Sequence, residues 1–352
     1  MTGTIQLLDV GDGDAILVHL HKEGKDLVLV IDGGQERHYE QVVKPALSKL
    51  LQELNKIAPD IIVATHYDSD HIGGLIPLVQ DYLLGIKEVW VHRSPELGPE
   101  DGQILASSDK KARLKHLGLE RLEESLARET YTGHLETITS KSALLIESLK
   151  QLDTFLGLLP ATMVRQVFHG DSYPGWPEIK VLGPEKGYYQ KLFPACTSLQ
   201  DLVVAETRDF LTATPGAVEV KEKTNPNPVQ DPCLRLKDDS RVSLTATNKA
   251  SIIIALDKGD QRFLFTGDAG IPSFKAIPAW EKELKDLYWL KVPHHGSDNN
   301  ISKELIDLMR PEYADSSGDR HQDQHVLDCI ARNTVDKSVR STKTSGCLIF
   351  PI

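Results

Sequence analysis

The chain has 352 residues, 40 of them basic and 51 acidic, for a formal net charge of −11. Its length allows a sizeable core without covalent staples, and 40% hydrophobic with 26% charged residues exclude a wholly disordered or collagen-like chain. The acidic balance excludes a generic basic nucleic-acid coat protein, and no apolar run reaches the roughly 18 residues of a membrane span. The opening MTGTIQLLDVGDGD lacks a basic stretch leading into an apolar one, so no secretory signal is expected. Cys196, Cys233, Cys329 and Cys347 stand far apart. That spacing offers neither a zinc ribbon nor a disulfide framework and fits a reducing cytoplasm.

In chain order, Ile5–Val10 and Ala15–Leu20 read as strands about the turn Gly11-Asp12-Gly13. Leu27–Ile31 is a third strand, stopping at Asp32-Gly33-Gly34. Helical periodicity covers Val42–Ile57. The buried strand Ile61–Thr65 then delivers the chain to His66, before a helix over Leu75–Leu84 and a strand over Glu88–His92. Residues 103–160 carry apolar residues at helical spacing and read as a helical insertion; 205–247, rich in Thr, Pro, Asn, Lys and Asp, reads as an exposed polar loop. SIIIAL and FLFTG form a strand pair around Asp257-Lys258-Gly259-Asp260, followed by a helix over 273–287 and the strand LYWLKV. No internal repeat is evident. Short strands with helices between them predict an α/β layered protein, read as one domain over 1–352.

The sharpest chemical signal is Thr65-His66-Tyr67-Asp68-Ser69-Asp70-His71. A strand ending in such a loop can aim residues two apart at one metal ion, then turn the next pair to a second. Imidazole nitrogen and carboxylate oxygen suit Zn²⁺, and also Mn²⁺ or Fe²⁺. The bland alternative is a polar loop with Asp70 as the N-cap of a helix starting near Ile72. A second signal is FLFTGDAG, where a strand ends in Asp268; a third is KVPHHGSDNN, with His294 and His295; a fourth is DRHQDQHVL, with His321 and His325.

Together and in this order, these segments resemble the metallo-β-lactamase superfamily, and within it the soluble hydrolase domain of ComEC-type DNA-uptake proteins. LLDVGDGDAIL is similar to that branch's DVGQGDA, and VIDGG to its strand ending in Asp-Gly. THYDSDHIGGL, NKASIIIALDKGDQRFLFTGDA and VPHHGS are similar to its His-x-Asp-x-Asp-His, Asn-x-x-Ser with Gly-Asp, and HHGS blocks. There are departures. Asp68 stands where the wider superfamily usually has His, which hardens the site toward Mn²⁺. Gly183 stands where relatives often have a histidine, with His169 as a substitute, and Arg320 and Gln322 flank His321 where the branch has Gly and Pro.

The resemblance implies an αββα sandwich with one or two Zn²⁺ or Mn²⁺ ions at one edge. His66, Asp68 and Asp268 would hold one ion; Asp70, His71, Asp268 and one of His294, His295 or His321 the other. Asp70 would also orient a metal-activated hydroxide. Whichever histidine of the HHGS pair is not a ligand, His295 in the preferred assignment, would stabilise the transition-state charge or protonate the leaving oxygen, with Ser297 adding a hydrogen bond. Asp14, Asp32 and Asn248 read as supporting strand-end residues. The activity expected is phosphodiester hydrolysis, on DNA or RNA, with the basic run 110–116 as a backbone guide. The alternatives are a small cyclic-nucleotide phosphodiesterase and a weakly catalytic module working beside protein partners.

Overall fold

A computed structural model describes residues 1–93, 132–193, 201–203, 231–236 and 244–352, with side chains from 144 onward in the second of these segments. The basic run 110–116, most of the polar loop and the first part of the helical insertion lie outside the described residues. What is described of the insertion is the helix Thr132–Gly157.

Fourteen strands form two sheets among the described residues. The first comprises β1 (Thr2–Leu7), β2 (Ala15–Lys22), β3 (Lys25–Gly33), β4 (Ile61–Val63), β5 (Glu88–Trp90), β6 (Val164–Arg165) and β14 (Leu348–Pro351), in the order β14-β1-β2-β3-β4-β5-β6. The second comprises β7 (Ser172–Tyr173), β8 (Trp176–Gly183), β9 (Ile253–Lys258), β10 (Gln261–Phe265), β11 (Trp289–Lys291), β12 (Tyr313–Ser316) and β13 (Arg340–Ser341), in the order β13-β12-β11-β10-β9-β8-β7. Each sheet runs through three antiparallel pairings and then three parallel ones. The two halves therefore repeat in topology although the sequence shows no repeat, because pairing direction rather than residue identity is what recurs.

Three apolar layers make the α/β sandwich. Trp90, Trp289, Phe265 and Phe350 lie in the core between the sheets. Leu47, Leu78, Val79, Leu149 and Phe155 cover the outer face of the first sheet, and Phe274, Leu305, Ile306 and Ile330 that of the second. This is the αββα arrangement expected from the sequence. In such sheets the carboxyl ends of parallel strands collect functional groups. Here β3 carries Asp32 as its penultimate residue, β4 leads to His66, β10 to Asp268, β11 to His294 and β12 to Ser317.

Three expectations need correction. The helix read over 273–287 is two short ones, Ile271–Lys275 and Trp280–Glu283, interrupted where Pro278 precedes Ala279 in a left-handed conformation. The helix read over 42–57 opens as a π turn, Tyr39–Val43, and is α-helical only over Lys44–Glu53. Finally, Cys233 and Cys329 form a disulfide across 96 residues, a pairing that sequence spacing did not reveal. The cysteine argument for a reducing cytoplasm loses that support. No described helix is long and apolar enough to cross a membrane.

Candidate metal centre

The helix Ser69–Ile72 begins with Asp68 at the N-cap, not Asp70, and the Asp68 side chain makes no capping hydrogen bond. The capping explanation for this acidic loop therefore fails. The loop is held from behind at close range: a Cβ on Gly13, whose φ is +113°, would lie 2.0 Å from the carbonyl oxygen of Asp70. Only glycine lets the two turns meet there.

Four imidazoles face one another, and each has its Nδ1 tied to the protein. The Asp32 carboxylate accepts from His71 Nδ1 at 2.8 Å, and also from the Thr65 hydroxyl at 2.7 Å and the Thr65 amide at 2.8 Å. Because Thr65 Oγ1 spends its hydrogen on Asp32, it accepts from His66 Nδ1, 3.0 Å away. Asn300 donates its amide to the carbonyls of Asp268 and Ala269, at 2.8 and 3.2 Å, which turns its Oδ1 to accept from His294 Nδ1 at 2.9 Å. His295 Nδ1 lies 3.2 Å from the Ser317 hydroxyl, which itself donates to Asp14 Oδ1. Fixing one ring nitrogen in this way decides what the other can offer.

The free nitrogens converge on Asp268. Its Oδ2 is 3.9 Å from His66 Nε2, 3.5 Å from His71 Nε2 and 3.4 Å from His294 Nε2, while Asp68 Oδ2 is 3.7 Å from His66 Nε2. Asp70 and His71 share a second cluster with His295, and His295 a third with Asp268 and His294. His66 Nε2, His71 Nε2 and Asp268 Oδ1 are buried without a hydrogen-bond partner. Such orphaned groups are costly unless something satisfies them. A divalent cation does so for imidazole nitrogens and carboxylates together, and the donor set fits one.

Electrostatics agree with a site prepared for positive charge. Burial pushes the His71 pKa down, but Asp268 and Asp32 outweigh it and hold it well above the ordinary histidine value. Burial raises Asp268, yet His294, His71 and His295 bring it well below the carboxylate range. Asp70 goes the other way, raised by burial and by the nearby charges of Asp68 and Asp268. His295 is lowered to about 3, chiefly by burial, so its ring is neutral at physiological pH. His294 and His295 have φ of 44° and 60°. Backbone strain of this kind costs about 1–3 kcal/mol per residue and persists where the surroundings enforce it.

Residues 8–142 match the metallo-beta-lactamase superfamily. No curated protein matches the chain. The superfamily match spans β2–β5 and the His66–His71 motif, while Asp268, His294 and His295 join the site through the second sheet. Match and donor clusters together support a metal-dependent hydrolase whose residues could bind metal.

Among the residues expected at the site, His66, Asp70, His71, Asp268, His294 and His295 fall in the donor clusters, and Asp68 lies beside His66. His321 does not; it is exposed and stacks on His294 at 5.1 Å. His169 is bound to the Leu182 carbonyl at 2.9 Å and stands outside the clusters. A Cβ at Gly183 would meet Ile253 and Ile277, so that position faces the apolar core of the second sheet. His325 lies 3.7 Å from Asp298. Asn248 takes part in the cap of the helix Ala246–Lys249, a structural duty. Ser297 Oγ accepts from the Asn299 amide at 3.3 Å. Sequence reasoning did not single out Thr65, Asn300, Lys291 or Ser317. Each acts through a neighbour, so no ligand spacing marks it; only the adjacency of Thr65 to His66 gave a signal.

Proposed function

We propose that the protein is a phosphodiesterase, most simply a nuclease, acting at this centre with one or two Zn²⁺ or Mn²⁺ ions. The observation that carries the reading is the convergence of His66, His71 and His294 Nε2 on Asp268 Oδ2. The phosphodiester preference rests on the likeness of the HHGS and Gly-Asp blocks to ComEC-type hydrolases. In this reading His66, Asp68 and Asp268 hold one ion, and His71, Asp268 and His294 the other. A bound divalent ion supplies Lewis-acid polarisation of a phosphoryl oxygen and activation of water near neutral pH.

The protein's own groups do the rest. Asp70, grouped with His71 and His295 in one donor cluster, places its carboxylate beside the metal donors. It takes the proton of the attacking water at its carboxylate and returns one to the leaving oxygen. His295, neutral, accepts a hydrogen bond at Nε2 and orients that water; its low pKa makes it a poor acid for the leaving group. His321, exposed beside His294, lies where substrate would approach, and its proposed duty is contact with substrate rather than ligation.

The test is a screen of metal-loaded protein against single- and double-stranded DNA, RNA and cyclic nucleotides. Polymer cleavage that disappears in Asp70→Ala and His71→Ala, with loss of metal from the latter, supports the nuclease reading. Cleavage of cyclic nucleotides alone favours the small-diester alternative, and inertness toward all of them refutes both.

A further inference from the structure

Beneath His295 lies an ion pair that the chemistry above does not use. Lys291, the last residue of β11, is fully buried, with 0% of its side chain exposed, and its amine rests on Asp14 Oδ2 in the loop between β1 and β2. Asp14 is 1% exposed. Lys291 Nζ also lies 3.5 Å from the Gly267 carbonyl, on the turn that carries Asp268. The other oxygen of Asp14 accepts from Ser317, whose hydroxyl lies 3.2 Å from His295 Nδ1, and Asp14 Oδ1 itself is 3.6 Å from that nitrogen. Asp14 lies in a loop of the first half, just before β2, whereas Lys291 ends β11 and His295 and Ser317 follow β11 and β12 in the second half. The junction thus crosses the two halves directly under the donor set.

Burying a lysine and an aspartate removes both from water, and their attraction often fails to recover that cost against an apolar pair of the same size. Packing alone therefore does not account for the pair. Its geometry does: Lys291 balances Asp14, the carboxylate makes Ser317 Oγ donate to it, and that leaves Ser317 Oγ as an acceptor for His295 Nδ1–H. His295 then presents the bare Nε2 to the space it shares with Asp70 and His71. Two further features fix the residue, one at its backbone and one at its ring. The Ser316 hydroxyl donates to the His295 carbonyl at 2.7 Å, and a Cβ at Gly318 would strike the imidazole at 2.4 Å.

We propose that Asp14, Ser317 and Lys291 form a positioning relay that fixes His295 as the Nδ1–H tautomer, with Nε2 turned to the reaction site. The catalytic consequence rests on the hydrolase reading above; the tautomer does not.

The experiment is nitrogen-15 NMR of histidine-labelled, metal-stripped protein, with the His295 signals assigned by their absence in His295→Ala. It is joined to hydrolysis of bis(p-nitrophenyl) phosphate by the Mn²⁺-loaded protein. Wild type is expected to show His295 as Nδ1–H. Ser317→Ala, which leaves the Asp14–Lys291 pair intact, should lose that tautomer's dominance. It should also lower kcat about 10–100-fold, the range typical for groups that orient a site imidazole, with KM and metal content little changed. Ser317→Thr, which keeps the hydroxyl, should restore both. A wild-type His295 carrying its hydrogen on Nε2, or an unchanged tautomer in Ser317→Ala, overturns the relay. If the wild-type tautomer is as expected but the loaded protein leaves the diester intact, the relay stands and the hydrolase reading falls.

Discussion

Asp32→Asn isolates the orientation of a histidine from the shape of its surroundings. Asp32 is fully buried with a φ of 57°, a left-handed conformation that asparagine tolerates as well as aspartate. The substitution therefore leaves the backbone alone and changes only what the side chain offers. The carboxylate accepts three hydrogen bonds, from the Thr65 amide, the Thr65 hydroxyl and His71 Nδ1. An asparagine must turn its NH2 toward one of these donors. Facing the Thr65 amide, it loses one bond and leaves His71 on a neutral oxygen. Facing the other side, it loses the acceptor for His71 and frees the ring to put its hydrogen on Nε2. Either orientation removes the charge, and a hydrogen bond to a charged group is worth about 1.5–3 kcal/mol. The metal-free variant should thus unfold with about 2 kcal/mol less stability in a urea titration. Its zinc affinity, measured by chelator competition, should fall about 10–100-fold, equivalent to about 1.4–2.8 kcal/mol. Affinity within threefold of wild type would refute the claim that Asp32 sets the His71 ring for metal.

Three further outcomes are expected. Asp68→His replaces a hard oxygen with an imidazole beside His66, so add-back assays on stripped protein should shift from Mn²⁺ toward Zn²⁺ as the better activator; an unchanged preference would mean that Asp68 is not a ligand. His92 is buried, donates to the Val167 carbonyl and has its pKa lowered to about 4 from 6.5. Unfolded chains bind a proton there at a pH where the folded protein does not, so stability is lost as pH falls from about 6.5 to about 4, by about 3 kcal/mol at most, and His92→Phe should flatten that part of the pH–stability curve. The Cys233–Cys329 bridge closes a long loop, so reducing conditions or Cys233→Ser should lower stability by about 2–4 kcal/mol in denaturant titration, and identical midpoints with and without reductant would argue against a bridge.

The sequence carried the architecture wherever pattern and element coincide. The strands β2, β3, β9 and β10 and the loops after β4 and β11 were legible because apolar runs end abruptly in Asp-Gly or His. The helix over 273–287 was misread because its apolar spacing continues through Pro278, where the chain kinks. Strand β14 went unseen because its partner β1 lies at the other end of the chain. At the site, clustered ligand types announced themselves: His66, Asp70, His71, Asp268, His294 and His295 meet in space as their motifs implied. His321 shares the residue type without the convergence. The groups that aim these ligands were hidden for a different reason. Lys291 beside Asp14, Ser317 beside His295 and Asn300 beside His294 are ordinary residues in sequence, and tertiary folding alone gives them their duty.

The most direct test of the metal-dependent phosphodiesterase reading is cleavage of an end-labelled single-stranded DNA by stripped protein with Mn²⁺ or Zn²⁺ restored, run beside Asp268→Ala with metal content determined for both. The expected result is about one to two ions per wild-type chain, cleavage only after metal is restored, and loss of both in the variant. Full metal content in Asp268→Ala, or a metal-loaded wild type that leaves the DNA and the other diesters intact, would contradict it.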